Sequence, residues 1–136
     1  MTNIPSVHVS LPSDGRAAGA ARRSLRALED YVPDNAIDDM NLLVSELVSN
    51  SVKHASLSPG EEIHVDAEPT GGAIRVAVTN PGRAELTNKV GHRAAESGWG
   101  LLILTQIASR WGVSTEGSTS VWFEIDMSGD NAKISA

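Results

Sequence analysis

Residues 42–55 read LLVSELVSNSVKHA, and the apolar Leu42, Leu43, Val44, Leu47, Val48 and Val52 recur at helical spacing on nearly every side of the segment. A helix of this kind is expected to meet other protein almost all round. Glu46 and Asn50 interrupt the pattern. Four residues apart, they project from one face, and Lys53 falls close to the same direction. A carboxylate, a carboxamide and an ammonium converging in this way could serve a phosphate group and a metal ion. The same spacing also describes an exposed stripe with an ordinary hydrogen bond between successive turns.

Working outward, Asp34 is placed to cap this helix, predicted over 35–55, and Leu57 to Gly60 break it. Upstream, 15–32 is predicted as a helix with Asp14 as cap and Pro33 as stop, preceded by a short strand in which Val7, Val9 and Leu11 alternate with His8 and Ser10. Downstream, Ile63, Val65 and Ala67, then a turn at Thr70, Gly71 and Gly72, then Ile74, Val76 and Val78 read as an antiparallel hairpin. From Asn80 to Gly100 the chain is polar and glycine-rich, and 83–97 is expected to form a lid. A third helix over 101–110, a strand over 113–116, a turn over 117–120 and a last strand over 121–126 follow. The fold expected is α+β: a two-layer sandwich whose mixed, mostly antiparallel sheet carries helices on one face. Residues 1–14 are taken as an N-terminal strand or arm, 15–127 as the domain and 128–136 as a polar tail.

The 136 residues suffice for one core. Eleven Lys and Arg against seventeen Asp and Glu give a net charge of -6, the wrong sign for a phosphate-backbone reader, so direct nucleic-acid binding is not expected. The absence of cysteine removes disulfides, thiolate metal sites and thiol nucleophiles. No run approaches a membrane span, and a cytoplasmic protein without membrane contact is expected. His8, His64 and His92 show no metal-type clustering. Arg16, Arg22, Arg23 and Arg26 put positive charge on the first helix, with Glu29 and Asp30 at spacings that allow salt bridges, which reads as a solvated face or else a partner surface, and Trp111 and Trp122 are expected in the core.

Two further segments could carry chemistry. In VAVTNPGR (76–83) the polar run begins at a strand end, so Asn80 would stand at the rim of the sheet and Gly82 would let a ligand approach the backbone, unless this is a plain turn. In SGWGLLIL (97–104) two glycines precede an apolar helix whose first amides are available to an anion, or serve only as a flexible cap.

Taken together, ELVSN with KHA, NPG, SGWGLLIL and GSTSVWFEID resemble the N box, the two glycine boxes and the closing strand of GHKL (Bergerat-fold) ATP-binding domains, in particular bacterial anti-sigma-factor serine kinases and related actinobacterial regulatory proteins. The resemblance covers roughly 15–126. It implies Glu46 as the general base, Asn50 as a ligand of Mg2+ bridging the ATP phosphates, and Lys53 or His54 as their neutralising partners. It further implies Gly82, Gly98, Trp99, Gly100 and Leu101 around the nucleotide and Thr119 near the adenine. The family's first glycine box opens with Asp, which accepts from the adenine amino group. Here that position is Asn80, and the box's second glycine is Ala84. An amide can accept or donate, so weaker ATP binding and a reduced preference over GTP are expected.

The function so implied is an ATP-dependent serine kinase that switches between a sigma factor and a STAS-type anti-anti-sigma factor, with a homodimer common in the family. The alternative is a regulatory module of the same fold that transfers nothing. Sensor histidine kinase and topoisomerase readings are disfavoured by chain length.

Overall fold

The computed structural model describes residues 3–54, 60–81, 99–115 and 117–127. The elements run β1 (Val7–Pro12), α1 (Ala17–Ser24) with a 3-10 turn (Leu25–Leu28), α2 (Asp34–His54), β2 (Glu62–Thr70), β3 (Ala73–Asn80), α3 (Trp99–Ile107), β4 (Arg110–Ser114) and β5 (Thr119–Asp126). The expected lid, Gly82, Ala84, His92, Gly98 and the tail lie outside the described residues, as do the side chains of His54, Trp99, Gly100 and Leu101.

Five strands form one sheet in the order β1-β2-β3-β5-β4. All four pairings are antiparallel, the limiting case of the mostly antiparallel sheet expected. The β2–β3 hairpin turns through Gly71 (φ +54) and Gly72 (φ +90), and two successive positive φ values are what a two-residue turn matching the strand twist demands. Pro69 is tolerated in β2 because it lies beyond the last residue paired with β1, Ala67.

Alternation assigns the inner face. Val65 on β2 stands opposite Val78 on β3, which stands opposite Val121 on β5, and Ala67, Val76 and Phe123 form the next row. These six are buried, and α2 crosses above β3 and β5 while also contacting α1 and α3. Phe123, fully buried, is the largest side chain at the centre; truncating it to Ala should cost about 3–5 kcal/mol, a large share of the roughly 5–15 kcal/mol stability of a typical domain.

Four expectations change. The first helix ends at Ser24 rather than reaching residue 32, and the 3-10 turn that follows, with three residues per turn, spoils the four-residue spacing of the arginines. Arg16 therefore pairs with Asp14 and Arg22 donates to Ser45 Oγ (2.9 Å), while no ion pair joins Arg22, Arg23 or Arg26 to Glu29 or Asp30 among the described residues. Second, α3 stops at Ile107 and Arg110 opens β4, because its guanidinium is held across the ladder by Glu124 (2.7 Å) and Asp126. Third, Leu42 is 43% exposed, so α2 has one solvent stripe and is not enclosed. Fourth, Trp122 lies on the sheet face opposite the helices, over Gly112 and under the Arg75 guanidinium 3.9 Å from its ring centroid. Phe123 has taken the inward position, and neighbours in a strand cannot share a face. Trp111 does pack against the core.

Candidate functional site

The inner face is apolar until its end, where the last residue of β3, Asn80, stands opposite the first residue of β5, Thr119. Both are 1% exposed. Above them Ser51, on the buried face of α2 and 3% exposed, accepts a hydrogen bond of 3.2 Å from Asn80 Nδ2. Among the described residues these three are the only buried polar side chains, and they occupy one corner where α2 meets the strand ends. Burying a polar group is costly unless it is paired. A corner built from a carboxamide and two hydroxyls, inside a core otherwise filled with Val, Leu and Ile, is therefore a place where specificity is bought with stability.

Sequence reading passed over Ser51, yet its position gives it away. It lies four residues after Leu47, seven after Val44 and eleven after Met40, all buried, so it continues the apolar stripe of α2 with a hydroxyl.

The adjoining stripe of α2 carries the other candidates. Glu46 and Asn50 are half-buried and one turn apart, on the line that continues to the exposed Leu42. Asn50 precedes Ser51 and so is rotated about 100° from it around the helix axis, from the core toward solvent. Lys53 is exposed and lines a shallow cavity of about 110 Å³ with Asp14, Gly15, Ala18, Ser49 and Val52, on the side of α2 that faces α1. That cavity is far smaller than a pocket for a nucleotide. The structure thus brings Asn80 and Thr119 to α2 at Ser51, leaves Glu46 and Asn50 at the accessible margin, and sets Lys53 to the α1 side. α3 starts at Trp99 and contacts α2.

Beside α1 the Arg16 side chain and backbone amide donate to the Asp14 carboxylate and hold it at about 2, below its ordinary 3.8. On the outer sheet face the Arg110 guanidinium is raised above its ordinary value by Asp126 and Glu124. Among the described residues no group of three or more His, Asp or Glu side chains could hold a metal ion. A single oxygen donor such as Asn50 remains compatible with Mg2+, which keeps several waters and takes the rest of its ligands from phosphate. No helix among the described residues is long and apolar enough to cross a membrane.

Comparison with known proteins follows the same outline. Residues 11–125 match the profile of a family described as the histidine kinase-like ATPase domain. The sequence matches none of the curated proteins. Among solved structures, the blue-light activated histidine kinase of Erythrobacter litoralis EL346 is similar at 24% identity and a TM-score of 0.60, over 74% of this chain and 33% of that one. The histidine kinase domain of the same protein is similar at 20% identity and a TM-score of 0.61, over 91% of this chain and 65% of that one. The chain therefore spans less than two thirds of either, and these two likenesses speak to the fold.

Proposed function

The chain belongs to the histidine kinase-like ATPase domain family, and from that premise we propose that it is an ATP-binding regulatory protein serine kinase acting by partner switching. The observation that carries the nucleotide reading is the buried polar corner of Ser51, Asn80 and Thr119 lying one helical step from Asn50, with Glu46 one turn before it. In this reading the corner receives the purine, and the margin of α2 faces the phosphates.

The chain's own groups divide the work. Asn80 and Thr119 orient the base. Asn50 would hold Mg2+ through its carboxamide oxygen, and the ion would supply positive charge to offset that of the phosphates. The N-terminal turn of α3, from Trp99 through Gly100 and Leu101, presents backbone amides to the phosphates. Glu46 accepts the proton of a partner's serine hydroxyl as its oxygen bonds to the γ-phosphorus and the bond to the β,γ-bridging oxygen breaks, releasing ADP. The partners proposed are a sigma factor and a STAS-type anti-anti-sigma factor, in line with the motif resemblance.

A second reading is favoured by one residue. Asn80 lacks the charge with which an Asp would grip the adenine amino group, which lowers affinity by about 1 kcal/mol. A regulatory module that binds partners and transfers nothing is consistent with it. Incubation with labelled ATP and a serine-bearing STAS partner separates the two: label on the partner supports the kinase, and binding without label or released phosphate supports the module.

A further inference from the structure

We propose that Arg22 and Arg23, folded back over Gly19 on α1, form a binding site for a phosphate monoester. The inference goes beyond the nucleotide reading and does not depend on it, because the site lies where α1 meets α2 and uses none of the residues assigned to the nucleotide.

Side chains on a helix lean toward its N-terminus, so those three and four positions on come to rest over the earlier residue. At Gly19 that place is vacant. A Cβ there would lie 3.4 Å from Arg23 Nη1 and 3.6 Å from Arg22 Nη2, so the two guanidiniums converge on one point. One of them is also clamped. Arg22 Nη1 donates to Ser45 Oγ at 2.9 Å, and Ser45 Oγ donates in turn to the Asn41 backbone carbonyl at 2.7 Å. With its single proton committed to Asn41, the hydroxyl can only accept from Arg22, which fixes one end of the guanidinium and leaves Nη2 over Gly19. A group held in place beforehand loses less entropy when a ligand arrives.

These like charges meet without a counter-charge. Among the described residues no carboxylate pairs with Arg22 or Arg23, both exposed, whereas Asp14 takes Arg16, and Glu124 and Asp126 take Arg75 and Arg110 between them. Carboxylates are in surplus on a chain of net charge -6, and this pair has none. Arginine suits oxyanions that accept several bonds at once. A carboxylate would balance one of the two charges, but a phosphate monoester carries about -1.5 to -2 at pH 7 and three acceptor oxygens, enough for both. A nucleic-acid backbone offers one charge per phosphate, on a polyanion that the net charge of the chain repels. The shared ligand chemistry is therefore the monoester, supplied either by a phosphoserine in a protein segment or by a free phosphate compound.

The test is NMR titration of the labelled full chain at low salt with inorganic phosphate, with a synthetic phosphoserine peptide, and with the same peptide carrying Glu in place of the phosphoserine. Both phosphate probes should saturably shift the backbone amides of Gly19, Arg22 and Arg23 and the arginine side-chain resonances, with the Glu peptide at least tenfold weaker. A tighter phosphopeptide assigns the site to a protein segment, and a tighter inorganic phosphate assigns it to a free compound; either supports the site. Gly19→Glu sets a carboxylate three and four residues before the two arginines, where it pairs with them from within the helix. That variant, and Arg22→Gln with Arg23→Gln, should weaken phosphate binding at least tenfold with an unchanged circular dichroism spectrum. Absence of saturable shifts at these residues, a Glu peptide that binds as tightly as the phosphopeptide, or full binding in folded Gly19→Glu would overturn the proposal.

Discussion

Asn80, the last residue of β3, donates its side-chain amide to Ser51 of α2 across 3.2 Å, and this bond fastens the principal helix to the end of the sheet where strand and helix chemistry meet. It places a polar corner at the end of an apolar core, beside the accessible stripe of Glu46 and Asn50. Each side of that arrangement can be tested separately.

Asn50 is half-buried at the margin and supports neither the core nor the Ser51 contact. Asn50→Ala should weaken magnesium-dependent ATP binding by at least tenfold with an unchanged circular dichroism spectrum. Equal affinity in a folded variant would remove Asn50 from the ligand set.

Glu46→Gln keeps the shape of the side chain and removes its capacity to take a proton. Transfer to a serine partner should fall by about 10²–10⁴-fold, the usual contribution of a general base, with little change in ATP affinity. A rate equal to the parent's would contradict the assignment.

The helix that bears these residues was legible because its period is long and unbroken, and the hairpin because Gly71 and Gly72 can only be a turn between two alternating runs. Less legible were the ends of α1 and α3, which are decided by partners distant in sequence. Arg110 extends into β4 to reach Glu124 and Asp126, contacts that no local propensity encodes. Ser51 was hidden by its company, since a serine between Asn50 and Val52 looks like surface until its register with Met40, Val44 and Leu47 is followed. The face of Trp122 was readable in principle: Val121, Phe123 and Ile125 claim the inner side, which leaves the indole outside.

On that outer side Gly112 leaves room for the indole, and a Cβ there would lie 2.7 Å from Trp122 Nε1. Gly112→Ala should therefore destabilise the fold by about 1–3 kcal/mol, read as a lower urea midpoint, while nucleotide affinity stays at the parent's value because the change is on the face away from the corner. An unchanged midpoint would mean that the indole moves aside freely.

Asp14 is held at about 2 in the folded chain, against an ordinary 3.8, by its bonds with Arg16. Because the folded value is the lower one, the pair stabilises fully above the ordinary value, and its contribution is lost as pH falls through about 2. Parent and Asp14→Asn should differ in urea midpoint at about pH 6, and the gap should narrow toward pH 2.5. A gap that is constant or widens on acidification would contradict the pairing. Both groups are exposed, so the effect is small and falls further with salt.

The most direct measurement follows the amide resonances of the labelled chain as MgATP is added. If the buried corner receives the purine, the Asn80 side-chain amide and the backbone amides of Ser51 and Thr119 shift saturably, together with those around Asn50, while Gly112 and Trp122 on the outer face stay in place. Saturable binding that moves the outer face, or none of these residues, would contradict the account.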